Sequence, residues 1–534
     1  MKQLTKTDFI LYKECDKNVW IKWHKPEEYN KFEISEFEQS LAIVGNEVEE
    51  LARTMSIFRG GYLIDKRSHG AQELTKKLIA EHTPVIFQAV FGTDKYLAAT
   101  DALVWNAAAN AYDLYEIKMS SALGDDVADS IGDTEDVSGK PEKVDKKKEL
   151  QYEYDLAFQV NVAKHCGVTF NKKYLLRPDK NYIRVGKIDP DKLFALTDKT
   201  EKVSDDFQSI TLSEMEGAYV YLSEEKMPVG NCKCYYKGRS AHCTSFSISN
   251  LDVPKYSVHD LNRIGSSKKY LKELLDDKIL KIDEVPEDER IIPKEAKEGE
   301  KPKKPRKLNQ VIAYKTKKPI IDLEAIKKEL DHLSFPLYFL DYETYPSAIP
   351  LFDGYHPYQN IVFQYSLNIL RSKDAKLEHE ECLILDGDPA ERLVESLRKH
   401  IGDTGKIISW SKKFENSRNL ELAHLVPSGA NFLKDVVRRT YDLMDIVENQ
   451  YYIHHDFKGS SSIKKVQPVL APKYSYKELA VGNGTAAIEA YRQIFKGELI
   501  GAAVEEKKQQ MLKYCQYDTE VMYEIWKFFT DLVK

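Results

Sequence analysis

The stretch FLDYETY, Phe339 to Tyr345, sets two carboxylates, Asp341 and Glu343, one residue apart at the end of an apolar run that includes Leu337, Phe339 and Leu340. Side chains two apart on a strand share a face, so the two acids point the same way. Buried without a partner they would repel and raise each other's pKa, and a divalent cation is the common way to stabilise such a pair. A strand end whose acids sit in water is the other reading of the same residues.

Further carboxylates favour the cation. IISWSKKFENSRNLELA, residues 407–423, places Glu415 just after an apolar strand (Ile407, Ile408, Trp410) and ahead of a helical pattern. LKYCQYDTEVMYEIW, residues 512–526, places Asp518 one helical turn beyond Tyr514 on the same face. Asp-x-Glu on a strand, an acid after a later strand and Tyr-x-x-x-Asp on a C-terminal helix resemble the three motifs of the DnaQ-like (DEDD) 3′–5′ exonucleases, in the subclass with Tyr rather than His. The resemblance covers roughly residues 335–530 and implies an RNase H-like fold. It also implies that Asp341, Glu343, Glu415 and Asp518 hold two Mg²⁺ or Mn²⁺ ions, for which hard oxygen ligands are suited, and that Tyr514 orients the attacking water. The family has Asp where this chain has Glu415, which leaves Asp442 and Asp445, in RRTYDLMDIVE, as rival third carboxylates.

Two nearby stretches have the chemistry of substrate contacts. FKGSSSIKKVQPVL offers backbone amides, Ser461, Lys464 and Lys465 for phosphate oxygens, and HPYQNIVFQYSL offers Tyr358, Gln359 and Gln364 for backbone or bases. Together with the exonuclease motifs they resemble a bacterial family that joins a RecB-like nuclease to a DnaQ-like domain. That resemblance directs attention to YLAATDALVWNAAANAYDLYEIKMSS, residues 96–121. Asp101, a turn, and then Glu116-Ile117-Lys118 is the Asp…Glu-x-Lys arrangement of the PD-(D/E)XK nucleases. The likeness implies a restriction-endonuclease-like fold in which Asp101 and Glu116 bind Mg²⁺ and Lys118 stabilises the attacking hydroxide or the phosphorane. By the same likeness Glu47, in GNEVEELA, is the preferred extra acidic ligand over Glu50, and Gln159 matches the Gln of the helical motif of RecB-like nucleases, with Ala163 where Tyr is usual.

Seven cysteines in a chain of this length point to metal ligands or free thiols rather than a disulfide framework. Cys15 precedes the first nuclease pattern, and NCKCYYKGRSAHC supplies Cys232, Cys234 and Cys243 after it. This arrangement resembles the iron-sulfur RecB-family nucleases and implies a cluster, while four thiolates suit Zn²⁺ equally. Cys166, Cys382 and Cys515 are isolated and read as packing residues.

The length of 534 residues, 42% hydrophobic and 11% aromatic, predicts several folded α/β domains. The divisions are a PD-(D/E)XK domain over 1–250, a helical and charged linker over 251–321, and an exonuclease domain over 322–534. Residues 124–149, acidic and then basic, read as a solvated insertion, and the charged, Pro-rich stretch 283–307 as the linker proper. No long apolar run or signal peptide is visible, which predicts a cytoplasmic protein with no membrane partner. A net charge of −6 excludes a uniformly basic coat but not a local basic groove.

The expected function is metal-dependent hydrolysis of nucleic-acid phosphodiesters, with DNA as partner, in end processing, repair or defence. RNA as substrate, and a binding or scaffold protein with one catalytic site or none, are the alternatives.

Overall fold

The computed structural model of the protein describes residues 2–32, 36–121, 141–292, 304–476, 479 and 481–534, in a mixed α/β architecture with several mixed sheets. The strand Leu337–Pro346 is the centre of a five-stranded sheet in the order 378–383, 360–370, 337–346, 406–409, 440–442. The first two pairings are antiparallel and the last two parallel. Strict alternation along the central strand fixes the layers. Tyr338, Leu340 and Tyr342 face helices Ala390–His400, Lys412–Leu425 and Ala430–Arg439 through Leu393, Leu422 and Val436. Leu337 and Phe339 face the long helix Ala502–Leu532 through Met522, Trp526 and Phe529.

That second face decides where the chemistry sits. Continuing along the strand past Leu337 and Phe339, the same face presents Asp341 and Glu343; stepping back along the helix by turns from Trp526 and Met522 presents Asp518 and Tyr514. An apolar contact at one end thus registers a polar contact at the other. Buried hydrogen bonds lock the register: Gln364 Nε2 donates to the Met511 carbonyl (3.0 Å), and the Thr519 hydroxyl pairs with that of Ser366 (2.7 Å) and accepts from Asn368 (3.0 Å).

The N-terminal sheet has six strands in the order 62–63, 85–87, 102–106, 111–117, 170–178, 194–198. Strands 102–106 and 111–117 form a hairpin, and 111–117 reaches its parallel neighbour 170–178 through the helix Pro141–His165, the long crossover such a pair requires. A separate three-stranded sheet pairs Leu4–Thr5 with Tyr96–Ala99, so the start of the chain lies beside the approach to Asp101.

Two sequence expectations change. The insertion expected over 124–149 lies outside the described residues up to 140, but 141–149 belong to the crossover helix, where Glu149 accepts from Arg177 and Lys199 (both 2.5 Å). The expected linker is in good part a folded module: Tyr235, Leu261, Leu271, Leu274, Val285 and Val311 make a core of their own, and Arg306 of the helix Arg306–Thr316 pairs with Glu448. Its turns are too short to show periodicity, although residues 293–303 lie outside the description. The loop after the central strand docks on the N-terminal sheet: Ala348 and Tyr358 join Val48, Phe58 and Tyr115 in one core, Arg184 donates to the Pro350 carbonyl (3.1 Å), and Lys496 pairs with Glu47 (3.2 Å). Among the described residues no helix is long and apolar enough to cross a membrane.

Candidate active sites

Asp341 and Glu343 sit where the central strand leaves the apolar core, with Phe339 and Leu340 fully buried behind them. Glu415, 4% exposed, comes from the first turn of the helix Lys412–Leu425, which Tyr342 ties to the strand by donating to Asn419 Oδ1 (2.8 Å). Asp518, 9% exposed, comes from the C-terminal helix. Three elements thus aim four carboxylates at one place, and among the described residues none of the four makes an ion pair.

Their electrostatics follow. Burial, then the charge of Asp518, push Asp341 far above the usual carboxylate range. Glu343 is raised by burial and by Asp341 and Asp518, against a smaller pull from Lys464. Glu415 is raised by burial and Asp341. Burial raises Asp518 to about 6, where Tyr476, Lys464 and Tyr514 hold it from going higher. Without a cation burial and mutual repulsion favour the protonated forms of the set; a divalent ion favours the ionised ones.

Hydrogen bonding distinguishes the three candidates for the third carboxylate. Asp442 accepts from the backbone N–H groups of Ser411 (2.9 Å), Lys412 (2.8 Å) and Met444 (3.2 Å), so its oxygens stabilise the start of the 412–425 helix, whose Ser411 has a left-handed backbone (φ 70°). Asp445 lies near Lys412 at 3.5 Å. Glu415 Oε2, in contrast, is buried with no hydrogen-bond partner among the described residues, which suits a ligand for a cation. Tyr514 is 5% exposed and bonded to Asp518, and burial with the charges of Asp518 and Glu343 keeps its hydroxyl protonated.

Two residues here had no readable signal. Tyr476, on the loop before helix Gly484–Phe495, donates to Asp518 Oδ1. Cys515, expected only to pack, places its sulfur 3.6 Å from Asp341 Oδ2 and within 4.8 Å of donor atoms of both strand acids. The expected substrate contacts divide. Lys464 and Lys465 are exposed on the helix Ile463–Leu470, with Lys464 near enough to lower Glu343 and Asp518. Ser461 donates to Glu448 (2.9 Å), Gln359 accepts from the His356 N–H (3.1 Å), and Tyr358 is buried in the core shared with the N-terminal sheet. The Ser461 hydroxyl and Gln359 Oε1 are thus engaged within the protein, and the Tyr358 ring lies in a core.

The N-terminal constellation is built differently. The hairpin brings Asp101 across from Glu116, and Asp101 Oδ2 accepts the Ile117 N–H (2.8 Å). Glu116, 1% exposed, takes Lys6 (2.5 Å) and Lys118 (2.8 Å) on Oε1 and Gln159 Nε2 (2.6 Å) on Oε2. Burial alone would raise Glu116, but the two ammonium groups outweigh it and bring it to about 2. Asp101 has no such partner and is raised to about 7 by burial and Glu116. Glu47 is not part of this set, since it faces Lys496; Glu49, two residues on, carries the charge that Asp101 feels and accepts from Gln88 and Arg53. A helix turns residues two apart to different sides, and the sequence likeness weighs Glu47 against Glu50, not Glu49. Asp155, one turn before Gln159, binds Lys118 and was signalled only by that spacing; Lys6 had no sequence signal.

The third cluster gathers Cys15, Cys232, Cys234 and Cys243, whose sulfurs all lie within 4.8 Å of one another. None of the four is in a disulfide, and three of them are buried.

Comparison with known proteins adds relatives but no activity. A family described as a domain of unknown function, DUF2779, matches residues 338–462, which include Asp341, Glu343 and Glu415 and end before Asp518. The uncharacterized protein MG366 of Mycoplasma genitalium is 27% identical over 214 residues, 37% of this chain and 32% of that protein. The MG366 homolog of Mycoplasma pneumoniae is 26% identical over 239 residues (41% and 36%), and the uncharacterized protein UU173 of Ureaplasma parvum is 27% identical over 248 (42% and 34%). The chain therefore spans about a third of the length of these curated relatives. No solved structure matches.

Proposed function

We propose that this protein is a metal-dependent nuclease whose C-terminal site is a DnaQ-like 3′–5′ exonuclease of RNase H-like fold. The observation that carries it is the convergence of Asp341, half-buried, and Glu343, Glu415 and Asp518, buried, mutually repelling and with no ion pair among the described residues to neutralise them. Such a set is unfavourable for stability alone and suits Mg²⁺ or Mn²⁺. A central strand bearing the first two acids, with the C-terminal helix across it in a mixed sheet, supports the reading.

The four carboxylates would hold two ions, whose chemistry is to lower the pKa of bound water and to neutralise charge on the scissile phosphate. The protein's own groups then have definite tasks. The Tyr514 hydroxyl, kept protonated, orients a water against the carboxylates; Lys464 and Lys465 attract the phosphate backbone to the rim. DNA is the proposed substrate, with RNA kept as an arm of the test.

The N-terminal site, read as PD-(D/E)XK, is proposed as a second nuclease centre using Asp101, Glu116 and Lys118, in which Glu49 rather than Glu47 supplies the extra acid. A second reading of that site has its own support: Lys6 and Lys118 already pair with Glu116 and Asp155, so the centre is stable without a cation and this domain can bind DNA without cutting it.

End-labelled single- and double-stranded DNA and RNA, incubated with Mg²⁺, Mn²⁺ or EDTA, test the whole scheme. Asp341→Ala should abolish shortening from the 3′ end. Digestion that persists in EDTA, or that survives both Asp341→Ala and Glu116→Ala, overturns it.

A further inference from the structure

The four cysteines come from two distant parts of the chain. Cys15 stands between helices Lys6–Glu14 and Asp16–His24; Cys232 and Cys234 lie in consecutive turns closed by the Tyr235 and Lys237 N–H groups, and Cys243 follows the short turn Arg239–Ala241. Among the described residues the cluster adds only Phe246, buried, and Val253, partly buried, to the cysteines, so sulfur makes up most of this small core. Sequence likeness implies an iron-sulfur cluster at this place, and the residues can be tested against it.

The spacing decides. Four thiolates about 2.3 Å from one tetrahedral ion have sulfur–sulfur edges of about 3.8 Å. A four-iron cluster puts its own irons and sulfides between the cysteines, each thiolate standing outside a separate corner, which spreads the sulfurs to on the order of 6 Å. Here Cys15 and Cys243 sulfurs are 3.5 Å apart, and no pair exceeds 4.8 Å. The cage is too small for a cluster and fits a single ion. Polar donors are aimed at the sulfurs: Asn250 Nδ2 approaches Cys232 at 3.4 Å and Lys237 Nζ approaches Cys234 at 3.7 Å, contacts that favour thiolates over buried thiols.

We propose that Cys15, Cys232, Cys234 and Cys243 form a structural Zn²⁺ site rather than an iron-sulfur site, and that this ion fixes the N-terminal helix whose first residue, Lys6, reaches Glu116. All four ligand positions are filled by protein, which leaves none for a substrate and marks the site as structural. At this end the helix also has direct contacts, Lys237 to the Glu14 carbonyl (3.4 Å), Gln151 to Glu14 (2.7 Å), Lys13 with Glu214 (2.6 Å) and Ser245 N–H (3.0 Å) and hydroxyl (2.7 Å) to Asn18 Oδ1, and the ion would add the link from Cys15 to Cys232, Cys234 and Cys243. None of this depends on either carboxylate site being a nuclease.

The full chain, purified anaerobically without added metal, is assayed for zinc, iron and acid-labile sulfide, and its visible spectrum is recorded. The expectation is one zinc per chain, negligible iron and sulfide, and no charge-transfer colour. Thiol modification should release that zinc in wild type, and a Cys232→Ser/Cys234→Ser variant should contain none. Iron with sulfide and a visible band, or a colourless protein free of all metals, overturns the site; both are read on wild type, so a variant that fails to fold does not blunt the test. Hydrogen exchange before and after zinc removal tests the second part: exchange in residues 6–14 should quicken roughly tenfold or more while residues 337–346 keep theirs. Unchanged exchange in 6–14 overturns the link to Lys6.

Discussion

Removing one carboxylate should make the metal-free protein more stable and the metal-bound protein inactive. Asp518→Asn is the sharpest case, because Asn keeps the shape and an oxygen to accept from Tyr476 while deleting the charge that raises both Asp341 and Glu343. The native structure moves Asp518 from 3.8 to about 6, worth at most about 3 kcal/mol at pH 7. The sign follows from proton uptake. A carboxyl with a raised native pKa holds its proton more tightly folded than unfolded, so metal-free stability falls as pH rises from about 4 through about 6 and is flat above that. For a domain of this size the gain from Asp518→Asn is therefore up to about 6–10 °C in melting temperature at pH 7.5. The assay is thermal unfolding in EDTA at pH 7.5 and 5, repeated with Mn²⁺. Wild type should gain stability with Mn²⁺ and the variant much less, since the ion binds the native site. A variant that melts below wild type in EDTA at pH 7.5, with a gap that does not narrow at pH 5, would refute mutual repulsion among these acids.

Other outcomes are specific to single residues. Glu415→Gln should lower exonuclease activity at least a hundredfold with an unchanged fold, whereas Asp442→Ala should keep activity within a few-fold and lose about 1–2 kcal/mol in chemical denaturation, as befits a helix cap. Tyr514→Phe should reduce kcat by roughly tenfold to a hundredfold while Mn²⁺ affinity measured by calorimetry stays within a few-fold. In a background lacking Asp518, Mn²⁺ binding to the N-terminal site should strengthen as pH rises through about 7, because protonated Asp101 cannot ligate; affinity independent of pH between 6 and 8 would remove Asp101 from the site. Lys6→Met should weaken binding of a non-cleavable DNA end at low salt and reduce its salt dependence, read by fluorescence anisotropy.

Much of the C-terminal site was legible because its signals are local. Period-two alternation puts Asp341 and Glu343 on one face, and the four-residue helical step puts Tyr514 with Asp518; each is a property of backbone geometry that survives any packing. The Asp101 and Glu116 hairpin was legible for the same reason. Local geometry could not choose among Glu415, Asp442 and Asp445, since each is an acid near the end of an apolar stretch. Only the folded chain shows that backbone N–H groups of residues 411 and 412 occupy Asp442 and leave a Glu415 oxygen without a partner.

The same limit explains Glu47 and Glu49, where a strong helix pattern left its rotation open until Lys496 and Gln88 fixed it. It explains Lys6, Asp155, Tyr476 and Cys515, whose partners lie 110, 37, 42 and 174 residues away. It explains the cysteines too, for spacing in sequence gave four sulfurs and the fold gave the size of the cage. The sequence by itself determined which groups share a face, because that depends on bonds along the chain. Tertiary structure decided which of them meet across it and which are already engaged, because burial, charge and hydrogen-bond partners belong to no single segment.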